Sequence, residues 1–429
     1  MAASAYVGTD ITSVGSGSWT TFTSLADTID TDAYASGGSI VTIPADGVYL
    51  VAAFAGVAVN STSQRGVRIL LNGETVVPCG ELTRGVAEDA NTGRGSYTWQ
   101  TLPLRAGDEL EFQGWHNHGS AQNMDLQVMV LRLPTTNIWC GNHADPAVTC
   151  SSNSTPAQLP LAPRPVNLGG WTKAGDTLTV PTTGNYLVLA RADFTELAQK
   201  AFWIQVEVNG TPLVTQHETS RTAGHFHGVA ALSAGDTIEY FAVKEDGGTA
   251  ASVPVISCSL TLVEVPSCAS LSSSGMTVPN GFLGACGFDG EYVDTDAYHS
   301  NVTNNSRITI PTGKSGLYLF GSKLQCPSNL RDGQASFGIN GVYGLPVWYL
   351  CASFANGGDF LGQLTVLDVA VGDYVEAVFE SDSGGASSGT PEFFGVHADG
   401  FTYDTFEWEP WYECPWTRGG WRPRVISYN

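Results

Sequence analysis

Two His-x-His pairs, His116/His118 and His225/His227, have the residue type and spacing closest to metal chemistry. Side chains two apart on a strand share a face, so each pair could bite one metal ion. A trimer axis gathering three copies would favour this. The plainer expectation is a loop-edge histidine making ordinary hydrogen bonds. Asp30/Asp32 and Asp294/Asp296 could offer oxygens to calcium, although turn and strand-start roles suit them better. Gly385-Ala386-Ser387-Ser388-Gly389 matches the G-x-S-x-G pattern of serine hydrolases. That pattern needs a strand-to-helix elbow, and no helix pattern follows it, so it reads as chance. Nine cysteines are spread along the chain with no CxxC pair, which argues against a zinc ribbon or a thioredoxin-type site. They read as thiols of a reducing cytoplasm, although Cys140/Cys150 or Cys268/Cys286 could each close a loop disulfide. No phosphate loop, nucleophile–base set or flavin fingerprint is present. The expectation is therefore no cofactor and no enzymatic activity.

The densest aromatic segment is the last one. From Phe401 to Asn429 it holds Phe406, Trp408, Trp411, Tyr412, Trp416, Trp421 and Tyr428, with Arg418, Arg422 and Arg424. Trp, Tyr and Arg dominate interface energies. Pro410, Pro415, Gly419, Gly420 and Pro423 argue against a helix. We expect an extended arm that docks through Trp411, Trp416 and Trp421, with Arg422 and Arg424 pairing acidic groups.

The elements that must position these residues are strands. Short alternating runs bounded by Gly, Pro, Asn and Asp fill the chain, and no helical periodicity of useful length appears. An internal repeat organises them. Thr42-Ile43-Pro44-Ala45-Asp46-Gly47-Val48-Tyr49-Leu50-Val51 recurs at Thr179 to Val188, and again as Thr309-Ile310-Pro311 with Gly316-Leu317-Tyr318-Leu319-Phe320. A strand apolar on both faces after a tight turn suggests a central strand between layers. Asn72-Gly73, Asn209-Gly210 and Asn340-Gly341 each close an alternating strand and predict type I′ hairpins. Gly107-Asp108, Gly235-Asp236 and Gly372-Asp373 mark a third common turn. Asp30-Thr31-Asp32-Ala33-Tyr34 recurs as Asp294-Thr295-Asp296-Ala297-Tyr298, and the middle copy lacks it.

The repeat spans 137 and then 130 residues (Pro44 to Pro181 to Pro311), so each copy is a whole domain. Boundaries fall near Pro134 and Pro266. This gives residues 1–134, then 135–266 and 267–403, each of the latter two beginning with a connector, and an arm at 404–429. The Ser/Asn/Pro/Cys-rich stretches Thr135–Pro160 and Ser267–Gly287 read as the connectors.

Composition narrows function. Nineteen Lys and Arg against 41 Asp and Glu give a net charge of −22. So acidic a chain cannot neutralise many phosphates, and an anionic membrane would repel it. No run of 18 apolar residues could span a bilayer, and the first twenty residues do not form a secretory signal.

The ordered markers resemble the C1q/TNF-like jelly-roll modules of tailed-phage virion proteins, over about residues 15–134, 165–266 and 288–400. That resemblance implies an all-β chain of three tandem two-sheet sandwiches, which typically trimerise and act without chemistry as structural or receptor-binding parts. The function it implies is a minor tail or tail-tip protein of a bacteriophage virion, made in the host cytoplasm and serving assembly or host attachment. Its partners would be other virion proteins, reached through the arm, and a host-surface glycan or protein. Nucleic acid and membrane insertion are not expected. A head fibre or capsid decoration protein would use the same modules, and a carbohydrate-active enzyme on β-modules is the reading from another class. A homotrimer is favoured over one chain folding its three units around a pseudo-three-fold axis.

Overall fold

The computed structural model describes residues 4–34, 38–57, 65–75, 94–144, 146–150, 155–162, 165–194, 201–216, 223–245, 253–278, 284–326, 333–343, 359–381 and 387–403. These form an all-β structure whose only helical element, among the described residues, is the 3-10 turn Ala398–Gly400. No helix among them is long and apolar enough to cross a membrane.

The strands make six sheets, two each from residues 5–132, 138–264 and 268–397. One sheet of each pair repeats a single order: flanking, opening, closing, central, edge. The opening strands are Ala5–Val14, Ile138–Ala144 and Cys268–Ser272. The flanking strands are Ala26–Asp30, Val166–Leu168 and Gly290–Asp294. The central strands are Gly47–Val57, Gly184–Phe194 and Gly316–Cys326. The edge strands are Arg94–Leu104, Ala223–Leu232 and Asp359–Val369. The closing strands are Gln122–Arg132, Val253–Glu264 and Ser387–His397. Between central, edge and closing strands the chain crosses each time to the second sheet, through Arg65–Leu71 and Glu109–His116 in the first pair. That alternation makes each pair jelly-roll-like. Thr135–Pro160 and Ser267–Gly287, expected as connectors, hold two of the opening strands. Their Ser- and Cys-rich composition hid this, because Cys140 and Cys268 are buried there as small apolar residues.

The three sequence markers turn out to be one knot. Asn72, Asn209 and Asn340 have φ of 53°, 53° and 52°, and the glycines after them 77°, 75° and 76°. Both turn residues are left-handed, as a type I′ turn requires. Each Asn donates from Nδ2 to the Gly-Asp carboxylate: Asn72 to Asp108 at 2.9 Å, Asn209 to Asp236 at 2.8 Å, Asn340 to Asp373 at 2.7 Å. The glycine N–H before each Asp donates to the carbonyl of the residue preceding the repeat's proline: Ile43, Val180 and Ile310. The motif tyrosine then folds back over its own turn. Tyr49 donates to Ala45 O at 2.6 Å, Tyr186 to Thr182 O at 2.8 Å and Tyr318 to Lys314 O at 2.6 Å.

The Asp-Thr-Asp repeat clamps the opening strand. Asp30 and Asp294 accept the backbone N–H of Tyr34 and Tyr298, each at 2.9 Å. Thr31 and Thr295 accept from Ala5 and Cys268, each at 3.0 Å. The rings of Tyr34 and Tyr298 meet Tyr49 and Tyr318 edge-on. In the middle copy, which lacks the motif, Trp171 meets Tyr186 edge-on instead, with centroids 5.4 Å apart.

Two-faced burial of the central strands explains the whole assembly. Tyr49, Val51, Ala53 and Ala55 fill the first sandwich's own core. Val48, Leu50, Ala52 and Phe54, on the other face, enter a core that also holds Leu187 and Leu189 of the second segment and Leu317 and Leu319 of the third. The edge strand Arg94–Leu104 packs on the closing strand Val253–Glu264, and the edge strand Ala223–Leu232 packs on Cys268–Ser272 and Gly290–Asp294. The edge strand Asp359–Val369 returns to Gln122–Arg132. The contacts close in a ring within one chain. Neighbouring segments of the same chain cover these faces, the arrangement that the sequence reading set beside a homotrimer.

Candidate functional site

Two seams of this ring bury charged and polar side chains. The first is built around Arg191, on the central strand of the second segment at the position of Phe54 and Lys323. Its Nη1 donates to Thr98 Oγ1 at 2.7 Å and to the Trp99 carbonyl at 3.0 Å, across the seam. Its Nε and Nη2 donate to Asp193 Oδ1 at 2.9 and 2.6 Å, and Ser257 donates to Asp193 Oδ2. Arg191 and Asp193 are both buried. A buried pair persists only when its remaining hydrogen-bonding groups are matched in this way. Along the same seam Thr101 and Thr261 hydroxyls meet at 2.5 Å, and Gln100 donates to Asn142 Oδ1 at 2.6 Å.

His225 and His227 share one side of the edge strand Ala223–Leu232, as their spacing implies, but they serve different seams. His225 lies against Trp99 of the first segment, ring centroids 5.6 Å apart. His227 places Nε2 3.4 Å from the Ser322 carbonyl of the third segment and its ring edge-on to Phe394. Burial, with Arg191 and then His227 nearby, holds His225 well below the usual imidazole range. Burial and Lys323 push His227 down to about 3, against the hydrogen bond to Ser322. Two neutral imidazoles beside Arg191 and Lys323 are a poor cation site, because those charges repel a metal ion. Lys323 is held by an ion pair with Glu392 and lies over the Phe226 ring.

His116 ends the strand Glu109–His116, and His118 lies beyond it. His116 Nε2 is 2.8 Å from the Val14 carbonyl, and Nδ1 accepts the His118 N–H at 3.2 Å. Both ring nitrogens are used in ordinary hydrogen bonds. Among the described residues no three His, Cys, Asp or Glu side chains gather to hold a metal. Ser387–Gly389 begin the closing strand Ser387–His397 and pair with Met276–Val278, so no elbow forms there. Cys140, Cys150, Cys258, Cys268 and Cys286 are buried, and neither Cys140 with Cys150 nor Cys268 with Cys286 forms the expected loop disulfide. Burial pushes the Cys258 and Cys268 thiols up to about 12 and leaves them poor nucleophiles. Trp411, Trp416, Trp421, Arg422 and Arg424 lie outside the described residues. Sequence reasoning missed Arg191 and Asp193. The available signal was a charged i, i+2 pair inside an otherwise apolar central strand.

No family model and no curated protein matches the chain. Among solved structures it is similar to an Eiger TNF from S. frugiperda, at 14% identity over 31% of this chain and 94% of that one, TM-score 0.23. It is also similar to a triple jelly-roll protein of an archaeal virus, at 10% identity over 91% of this chain and 92% of that one, TM-score 0.19. A third is an infectious bursal disease virus particle protein, at 7% identity over 92% of this chain and 77% of that one, TM-score 0.22.

Proposed function

We propose that this chain is a non-enzymatic structural protein of a bacteriophage virion, built as a single-chain pseudo-trimer of three C1q/TNF-like jelly rolls. The units are 1–134, 135–266 and 267–403, followed by the docking arm 404–429. One observation carries the reading: the three edge strands pass around a ring and bury one face of every central strand inside one chain. A block of three units side by side suits a head surface, as shell or decoration, better than a tail-tip stalk of units strung end to end.

The two ends of the block differ. The junctions after Arg132 and Glu264, and the last described residues, sit at the turn end. There Leu133 N–H donates to Val48 O, Val265 N–H to Asn185 O and Thr135 N–H to Thr402 O. Tyr403 donates to Arg132 O at 3.2 Å, and the Arg132 guanidinium lies over its ring. The arm therefore leaves from the turn end, which we assign to the particle. Trp411, Trp416, Trp421, Arg422 and Arg424 dock on a neighbouring virion protein, and the opposite end faces outward toward any host-surface ligand. Cutting the chain after Asp404 tests this. The truncated protein should melt as the full chain does yet fail to enter particles. Normal incorporation would end the docking role, and early melting would make the arm a lid on its own block.

A further inference from the structure

The outer sheet of the first unit carries an aromatic and polar cluster outside the seams. The strands Thr20–Thr21, Glu109–His116 and Arg65–Leu71 build it, paired in that order. Val67, Ile69, Leu71, Leu110 and Phe112 point into the core, so alternation turns Arg68, Gln113 and Trp115 outward. Thr21 pairs with Gln113, and two residues earlier Trp19 meets Trp115. Their rings are tilted by 37° with centroids 6.3 Å apart. The Arg68 guanidinium lies over the Trp19 ring, 4.4 Å from its centroid. Arg68 Nε donates to Gln113 Oε1 at 2.7 Å, and Gln113 Nε2 donates to Thr21 Oγ1 at 2.9 Å. Each side chain is held by the next, so a ligand would find the surface already ordered.

Trp99, Trp139 and Trp171 are buried, whereas Trp19 and Trp115 are half-buried side by side. The cluster also belongs to one unit. Counting from the Asn-Gly turns and along the paired strands, Gln205, Phe241 and Val243 stand for Arg68, Gln113 and Trp115 in the second unit, and Ser336 and Val378 for Arg68 and Gln113 in the third. Val243, Ser336 and Val378 are buried. The sandwich therefore forms without this cluster, and partly exposed aromatic surface with a polar rim is the kind that marks recognition sites. Glu109 begins its strand at the turn end, and Trp115 lies six residues on, about 20 Å toward the opposite end.

The chemistry suits a sugar. An indole face is electron-rich, and a pyranose with equatorial hydroxyls turns only C–H groups to it. Thr21 and Gln113 lie beside the rings, and Ser16, Ser18 and Asn117 are exposed next to them in sequence. Hydroxyls and amides of this kind both donate and accept, as the hydroxyls around a sugar's edge require. A polyanion is disfavoured, because a single arginine engaged by Gln113 and Trp19 does not offset a net charge of −22.

We propose that Trp19 and Trp115 form a stacking platform for a neutral host-surface oligosaccharide of equatorial pyranoses, a role that rests on reading the end opposite the arm as the outward one. Cellotetraose and chitotetraose are the probes, with an acidic hyaluronan tetrasaccharide and a proline octapeptide as controls. Each is titrated into the full chain and followed by calorimetry and by the indole N–H resonances. At least one neutral sugar should saturate with a Kd of about 0.1–5 mM, shift the Trp19 and Trp115 signals and leave those of Trp99 and Trp139 in place. Trp115→Thr puts a strand-favouring residue on the outer face and should weaken that sugar about tenfold or more. Thr21→Val removes the hydroxyl that anchors Gln113 and should weaken it about threefold. If Trp115→Thr does not fold, Thr21→Val and the resonance map of the unmodified chain decide the matter. Neither sugar moving the two indole signals would overturn the proposal, as would undiminished binding in folded Trp115→Thr or tighter binding of either control. A chain that enters particles through its arm yet binds neither sugar would overturn the platform alone and leave the virion reading standing.

Discussion

Asp373 accepts from Asn340 Nδ2 at 2.7 Å and from the Ala370 N–H at 2.8 Å, tying a hairpin turn to a strand turn that sequence alone shows as two separate markers. Asp373→Ala removes both bonds at an exposed site and should lower stability by about 1–2 kcal/mol in a urea titration. Asp108→Ala and Asp236→Ala should do the same, because the pattern repeats. Losses within about 0.3 kcal/mol would mean that the knot adds no stability. Arg191 is the more severe case. Arg191→Met leaves Asp193 buried with only Ser257 hydrogen-bonded to it, and should cost about 3–5 kcal/mol. Arg191→Met with Asp193→Leu should recover most of that loss, and a double variant as unstable as the single one would refute the pairing. The knot's residue types were legible because left-handed turns admit few residues. The Arg191 contacts were not, because Thr98 lies 93 residues away and only the ring of seams brings it near.

Among the elements, the edge strand Ala223–Leu232 carries two histidines that build a pH dependence into the fold. It carries His225 and His227 between Arg191 on one seam and Lys323 on the other, with Asp193 and Glu392 paired to those cations. Both histidines titrate lower folded than unfolded, so the unfolded chain binds the extra protons. Stability is complete above the unfolded value of about 6.5 and falls as pH drops below it, by up to about 1.4 kcal/mol per unit for each histidine. For His227 the loss continues toward about 3. Hydrogen exchange between pH 7 and 5 should show protection falling faster at Ala223–Leu232 than at Arg94–Leu104, whose place in the ring is equivalent. Equal loss in the two strands would contradict this. Strand existence and phase were readable from alternation. Val67, Ile69 and Leu71 are all buried together, as their shared offset from Asn72 implies. The opening strands Ile138–Ala144 and Cys268–Ser272 were hidden, because the Ser-, Asn- and Cys-rich stretches around them imitate linker composition.

At the scale of the whole molecule, apolar residues on both faces of the central strands could be read as burial between layers. Sequence did not say that the second layer would be the chain's own neighbouring unit, since stacked homotrimers bury the same faces equally well. Two solution properties follow. Neither Cys140 with Cys150 nor Cys268 with Cys286 is bridged, so a reductant should leave the melting temperature unchanged; a fall of several degrees would reveal a disulfide. The ring also makes the units depend on one another, so they should melt together. The most direct test is the mass of the dilute full-length protein by light scattering. A ring closed within one chain predicts 45.3 kDa, and a particle of three times that mass, dissociating only as it unfolds, would contradict it.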